Sequence, residues 1–458
     1  MSYITGTYNG VASTKIYNIL KNQRSGLLDL VYKNSDDSLM IDELTFNNDS
    51  AMTVNKSSMR LMTDVDDLSY PLQSSVSTVY AGTNRTRINP TTGYIENVGA
   101  NISRIESVGG SLATLIEPAS TNKFLYSNDF SEWTQYEATI SSDATTSPDG
   151  TVSADKLVVN GTTGDHSLYV DMVTTSFDTN SNVTHSVYAK KAEYSWMFLN
   201  SKTKQSTYPS AYFNLNTGAT GTLSAATAGT EDMGDGWWRC WMTHSAGTSG
   251  SDNFRFTIHV AEANDDVTIA GDSSSGIYIW GTQAEQSVIP TSLIHTTGSA
   301  VTRATESSYP RFTLPTDLFD NQGTVIFWWR PAFTEAMATA DGGLVSVRDN
   351  VSSLFYYDIS GNGIASHDGS TEATDGLVYS ANTWYKLAGK WGYDDSGKKF
   401  KVGNGDSISW GTAQTFDNTF TLGSDIIIGH TPFSRMHLRN LRFSRSILTD
   451  EQINNITS

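Results

Sequence analysis

The stretch closest to a chemical motif is Gly392-Tyr393-Asp394-Asp395-Ser396-Gly397-Lys398-Lys399, where Gly, four residues, Gly and Lys follow the order of a phosphate-cradling loop. That loop ends in Ser or Thr to hold magnesium, whereas Lys399 stands here. Because Phe400-Lys401-Val402 before Asn404-Gly405 reads as a second strand, the stretch is expected to be a β-hairpin tip. Gly271-Asp272-Ser273-Ser274 sets serine beside an acid, yet no Gly-x-Ser-x-Gly elbow stands between a strand and a helix, and a polar turn entering the strand Ile277 to Trp280 accounts for it. The eight histidines form no His-x-x-x-His pair, and His430 and His437 read as a loop and a strand residue rather than metal ligands. Glycoside cleavage needs facing carboxylates, naturally at alternate positions of one strand, but Glu335, Asp358 and Glu372 stand isolated. No catalytic residue and no metal ligand is assigned, and the chain is expected not to be an enzyme.

Aromatic side chains are the remaining chemistry. A sugar ring stacks its C–H face on Trp or Tyr while Asn, Asp and backbone groups take its hydroxyls. Trp237, Trp238, Trp241, Trp328 and Trp329 fall inside strand patterns and are expected in cores. Tyr194, Tyr208, Tyr393 and Trp410 lie near turn signals and are the candidate glycan contacts. Loop carboxylates such as Asp265-Asp266 and Asp394-Asp395 could offer oxygens to a structural calcium, but no loop has EF-hand spacing; solvated acidic turns are expected and no cofactor is assigned.

The elements that must carry these residues read as strands. The 458 residues exceed one core at about 150 residues per domain. Charged residues reach 17%, below the usual figure of about 25%, and Ser, Thr, Asn and Gly fill the difference, a composition suited to short strands and turns. Phe254-Arg255-Phe256-Thr257-Ile258-His259-Val260 alternates most cleanly, with Arg255, Thr257 and His259 on the face opposite the apolar one. Val183 to Lys190, Trp237 to Thr243 and Ile277 to Trp280 look alike, and Thr324 to Arg330, Trp384 to Lys390, Asp425 to Gly429 and Leu438 to Phe443 repeat the style. Turn spacing favours sandwiches over βαβ units. Thr449-Asp450-Glu451-Gln452 is a capping box that opens a short helix with Ile453 and Ile456.

Several partners are excluded. With 30 basic against 48 acidic residues the net charge is −18, so a phosphate backbone would be repelled and nucleic acid is a poor partner. No apolar run approaches the roughly 18 residues needed to cross a bilayer, and Met1 to Tyr17 has no signal-like pattern, so membrane insertion and Sec export are not expected. Cys240 stands alone, as expected of a chain folded in a reducing cytosol.

The stretch from Leu115-Ile116-Glu117-Pro118 through Leu125-Tyr126-Ser127-Asn128-Asp129-Phe130, Trp133, Pro148-Asp149-Gly150 and Ala154-Asp155-Lys156-Leu157 resembles the opening of a carbohydrate-binding-like jelly-roll module widespread in tailed-bacteriophage virion proteins. Ser186 to Lys190, the turn Phe213 to Gly218, Gly236-Trp237-Trp238-Arg239-Cys240, Ile277 to Gly281 with Gln283 and Glu285, and Val301 to Ala304 continue the resemblance in order. Gly323 to Trp329, Trp384 to Leu387, Ile428-Gly429 and Leu441 to Ile453 resemble a concanavalin A-like or laminin G-like sandwich.

The expected architecture is therefore mainly β: an N-terminal region over 1–75, a β-rich linker over 76–120, a jelly roll over 121–305 and a concanavalin A-like domain over 306–458. Ile16, Ile19, Leu20, Leu27, Leu28 and Val31 recur at helical spacing in the first region, their apolar face packing locally or docking on a partner. The resemblance implies a fibre or decoration protein on the virion surface. It implies attachment to other virion proteins through the N-terminal region, a homo-oligomer such as a trimer, and lectin-like display toward host-surface glycans, with a purely structural cement role and a polysaccharide depolymerase as alternatives.

Overall fold

The computed structural model describes residues 83–99, 104–248, 250, 252–305, 323–338, 341–346, 355–358, 363–367, 372–393, 399–415, 425–430, 435–444 and 447–455, with short strands at 41–43, 45–46, 52–53 and 311–313. The helix expected over Ile16 to Val31, the loop pair Asp394-Asp395 and Ile456 lie outside the described residues. Contacts divide the chain into two units, one of residues 81–100 and 118–305, the other of 1–80, 101–117 and 306–458. The stretch read as a linker over 76–120 is thus divided between them. Its hairpins, Arg85–Ile88 with Ile95–Val98 and Ile105–Val108 with Ser111–Ile116, are parts of the units themselves. The physical reason is burial: Ile95, Val98, Ile105, Leu115 and Ile116 are all enclosed, each contributing about 1.5–3 kcal/mol over an exposed position.

The jelly-roll unit has twelve principal strands: β1 Thr134–Tyr136, β2 Ala138–Thr146, β3 Val152–Val159, β4 His166–Met172, β5 Asn182–Lys191, β6 Trp196–Lys202, β7 Ser210–Asn214, β8 Thr220–Ser224, β9 Thr227–Asp232, β10 Trp237–Ser245, β11 Phe254–Ala261 and β12 Gly276–Glu285. They form two six-stranded antiparallel sheets, a front sheet ordered β8-β7-β6-β11-β4-β1 and a back sheet ordered β2-β3-β12-β5-β10-β9. Alternation dictates the sandwich: Leu168, Met197, Leu199, Ala211, Phe213, Phe256, Ile258 and Val260 from the front meet Leu157, Val187, Cys240, Met242, Ile277 and Ile279 from the back in one core. Gly218, at φ +71° against the Trp238 ring, lets the β7–β8 turn close, and its N–H donates to the Asn214 carbonyl at 2.8 Å.

The outer face of the back sheet carries a third layer. Tyr188, Trp237 and Trp280 pack there with Ala154 of β3 against Ile95 from the hairpin and Leu293 from the chain after β12. Thr86 Oγ1 donates to the Leu293 carbonyl at 2.6 Å and Arg239 Nη2 to the Thr291 carbonyl at 2.6 Å, which ties both coverings down.

The other unit is a second antiparallel sandwich. One sheet runs Ser409–Trp410, Lys399–Asn404, Tyr385–Tyr393, Gly323–Pro331, Met436–Ser444, Ser111–Ile116, Ile105–Val108, and the other runs Arg311–Thr313, Asp425–His430, Gly342–Ser346, Phe355–Asp358, Gly363–His367, Glu372–Thr374. Phe327 meets Phe355 at 5.2 Å between ring centroids, and Trp329, Phe333, Tyr357 and Tyr379 form an aromatic cluster in its core. Tyr385–Tyr393 and Lys399–Asn404 pair antiparallel, and residues 394–398, where the sequence predicts a hairpin tip, lie outside the described residues. The capping box forms: Gln452 N donates to Thr449 Oγ1 at 3.1 Å, and Thr449 N to Gln452 Oε1 at 2.8 Å, opening the helix Asp450–Asn455.

Candidate functional site

Strand alternation places Tyr136, Ser167, Tyr169 and Asp171 on the outer side of the front sheet, with Arg255, Thr257 and His259 of β11 beside them. From β6 and β7 the register adds Phe198, Asn200, Lys202, Ser210 and Tyr212. One cross-strand row therefore reads Tyr136, Ser167, His259, Phe198, Tyr212, with ring centroids 5.0 Å apart for Phe198–His259 and 4.3 Å for Phe198–Tyr212. At about 4.8 Å per strand the row crosses five strands, a width comparable to several sugar rings.

Exposure is graded along this face. Tyr212 and His259 are buried, Phe198, Asn200 and Tyr169 are half-buried, and Tyr136 at 51% and Tyr208 at 57% stand out in solvent. Tyr208 joins the face because Ser201 N donates to the Pro209 carbonyl at 2.9 Å, extending the β6–β7 ladder so that Tyr208 falls on the side of Ser210 and Tyr212, next to Lys202. Arg255 lies over the Tyr169 ring, its guanidinium carbon 3.9 Å from the centroid, and its Nε and Nη2 each donate to Asp171 at 2.8 Å. That hydrogen bonding raises the guanidinium's affinity for its proton. His259 Nδ1 and Asp165 Oδ1 are 2.6 Å apart. Burial, with the negative charges of Asp265, Asp266 and Asp165, pushes the Tyr212 phenol up, so it stays a neutral donor.

The four sequence candidates do not converge. Tyr208 lies on this face. Tyr194 is half-buried with its ring against the sandwich core, because the turn after β5 folds inward there; desolvation and the charges of Glu262, Asp272 and Glu193 hold its hydroxyl protonated. Trp410 belongs to the other unit, half-buried against Ile326, Trp328 and Ile453, with Lys401 Nζ 4.2 Å and Lys390 Nζ 4.8 Å from its ring centroid. Tyr393 ends a strand of that unit, and its side chain lies outside the described residues. The strand tryptophans sit where alternation puts them: Trp237, Trp328 and Trp329 are buried and Trp238 and Trp241 half-buried. Asp272 accepts from Ser274 N, Ser275 N and Ser275 Oγ, which holds its carboxyl below the usual range and makes Gly271 to Ser274 a turn. Asp265 and Asp266 accept from Thr222 Oγ1 and Thr268 N.

Sequence reasoning missed Tyr136, Tyr169, Asp171 and Phe198. The signal for Tyr169 and Asp171 was the alternation of His166-Ser167-Leu168-Tyr169-Val170-Asp171, the pattern already read in the strand that carries Arg255. Among the described residues no group of three or more His, Cys, Asp or Glu side chains could hold a metal ion, and no helix is long and apolar enough to cross a membrane.

Fold and face together define a β-sandwich with one sheet presenting an open aromatic and polar surface. No family profile and no curated protein matches the chain. Among solved structures, a mutant HCR/D overlaps 32% of this chain and 39% of its own, at 15% identity and a TM-score of 0.26. The N-terminal CBM22-1-CBM22-2 tandem domain of Paenibacillus barcinonensis Xyn10C covers 71% of this chain and 97% of its own, at 8% identity and a TM-score of 0.22. A Trypanosoma rangeli sialidase mutant displaying trans-sialidase activity covers 92% and 91%, at 9% identity and a TM-score of 0.24. These overlaps are too low to carry an argument, and the sandwich assignment stands on the strand pairing itself.

Proposed function

We propose that this protein binds glycans through the outer face of its front sheet and serves as a fibre or decoration protein on a tailed-phage particle. In this reading it acts without turnover, and copies joined in a homo-oligomer such as a trimer multiply weak single-site contacts. The observation that carries the glycan reading is the pair of exposed phenols, Tyr136 and Tyr208, flanking the Arg255–Tyr169 stack on a strand-built polar floor. Rings held on strands are pre-set for stacking against sugar C–H faces, while Asn200, Asp171 and Ser210 offer hydroxyl partners. The virion role rests on the order of motifs over about 190 residues from Leu115 to Ala304. Avidity from multiple copies exceeds single-site affinity by about 10²–10⁴.

The test is retention of the full-length protein on host cells and on purified host surface polysaccharide. Tyr136→Ala with Tyr208→Ala is expected to weaken retention at least about tenfold, in line with losing exposed aromatic anchors. Retention unchanged by the double variant would reject the face, and release of reducing ends would reject the binding-only role.

A further inference from the structure

Resting on that reading, we infer that the face selects uncharged glycans, and that Asp171 is the residue setting this preference. Three basic side chains point outward from the front sheet near the phenols, and each already faces an acid. Arg255 is clamped by both oxygens of Asp171 at 2.8 Å, His259 Nδ1 meets Asp165 at 2.6 Å, and Lys202 Nζ is 3.8 Å from Asp252. The two-pronged clamp matters most, because it occupies the guanidinium edge that would otherwise receive a carboxylate or sulfate. Stacking on Tyr169 covers one face of the same group, leaving its other face and the phenols for sugar.

The rest of the surroundings is acidic. Asp265 and Asp266, exposed in the turn after β11, act electrostatically on the Tyr212 phenol of this face, and Asp165 adds to them. An anionic sugar docked between Tyr136 and Tyr208 would meet the Arg255–Asp171 pair, its guanidinium edge already taken, and beyond it only Lys202, which Asp252 faces at 3.8 Å. An unclamped guanidinium at about 4 Å would favour such an anion by roughly fivefold or more in affinity, and the Asp171 clamp withholds that gain. A neutral sugar has no such gain to lose and can donate its hydroxyls to the same carboxylate.

The full-length protein is applied at low salt to an array of neutral glycans and their uronate-, sialate- or sulfate-bearing counterparts. Wild type is expected to mark neutral members only. Asp171→Asn, which keeps the shape and releases Arg255, is expected to gain about tenfold toward the anionic members, a gain that fades in 0.5 M salt at roughly the few-ångström screening length of such solutions. Asp171→Ser provides a second release of Arg255 should the first variant fold poorly. Wild-type binding to anionic members would overturn the neutral preference while leaving the glycan reading standing. An unchanged spectrum in both variants would remove Asp171 from the role, and a wild type that marks no glycan would overturn the reading beneath it.

Discussion

The two outer faces of the jelly roll are alike in residues and opposite in fate. The back sheet carries Tyr188, Trp237 and Trp280 outward, and the front sheet carries Tyr136, Tyr169 and Phe198. On the back, the hairpin Arg85–Val98 and the chain after β12 close over the rings, and Trp280 is fully buried. On the front, nothing among the described residues covers Tyr136, and the loop after β11 reaches only the Tyr212 end. An outward aromatic row is thus not exposed by alternation alone; whether a segment covers it decides. Aromatic inventory says where rings are plentiful, and only topology says which rings meet solvent.

That contrast can be broken most forcefully at Trp280. Trp280→Ala should destabilise the unit by about 3–5 kcal/mol in denaturant unfolding followed by tryptophan fluorescence, since it empties a covered site. A loss below about 1 kcal/mol would mean that the third layer contributes little and that the two faces are not different in kind.

A second measurement is acid titration of stability. His185 is fully buried among Phe124, Phe256 and His244, and desolvation lowers its pKa to about 3 from the ordinary 6.5. Its folded form is neutral, so between these values the unfolded chain binds the extra proton. Stability is therefore complete above about pH 6.5, falls as pH drops toward 3, and flattens below, by on the order of a few kcal/mol. Buried His244 adds in the same direction. His185→Leu should flatten the slope; an unaltered slope would place the acid sensitivity elsewhere.

Changes on the open face should be the mildest for folding. Asp171→Asn removes an ion pair whose partners are 46% and 42% exposed, at an expected cost of about 0.2–1 kcal/mol. Tyr136→Ala with Tyr208→Ala should shift the unfolding midpoint by about 0.5 kcal/mol or less for each residue while weakening glycan retention. A large stability loss there would show that these rings are structural and would sharpen the two faces into one.

How much of this was legible follows from the range of the interactions. Strands and their burial direction are local, so Phe254 to Val260, Trp237 and the capping box at Thr449 were readable from spacing alone. Which strands neighbour one another is set by pairs distant in sequence, such as Tyr169 with Thr257, 88 residues on, and no periodicity encodes it. Tyr194 shows the same limit: a turn-like context does not reveal that a ring folds back on the core. The hairpins within 76–120 looked like spacers because their partners lie far downstream.

One of those partners sets a clock. Glu106 accepts its 2.9 Å contact from His437, 331 residues later, and Ser111–Ile116 pairs with Met436–Ser444. At about 5–20 residues per second of synthesis, this early hairpin waits roughly 15–65 seconds for the strand that completes its sheet. Every strand of the two jelly-roll sheets, from Thr134 to Glu285, emerges within that interval, so the ribosome delivers a finished sandwich while the other still lacks its later strands. A stop codon placed between Glu306 and Met436 should accordingly leave a folded, protease-resistant jelly roll attached to an unpaired, aggregation-prone edge.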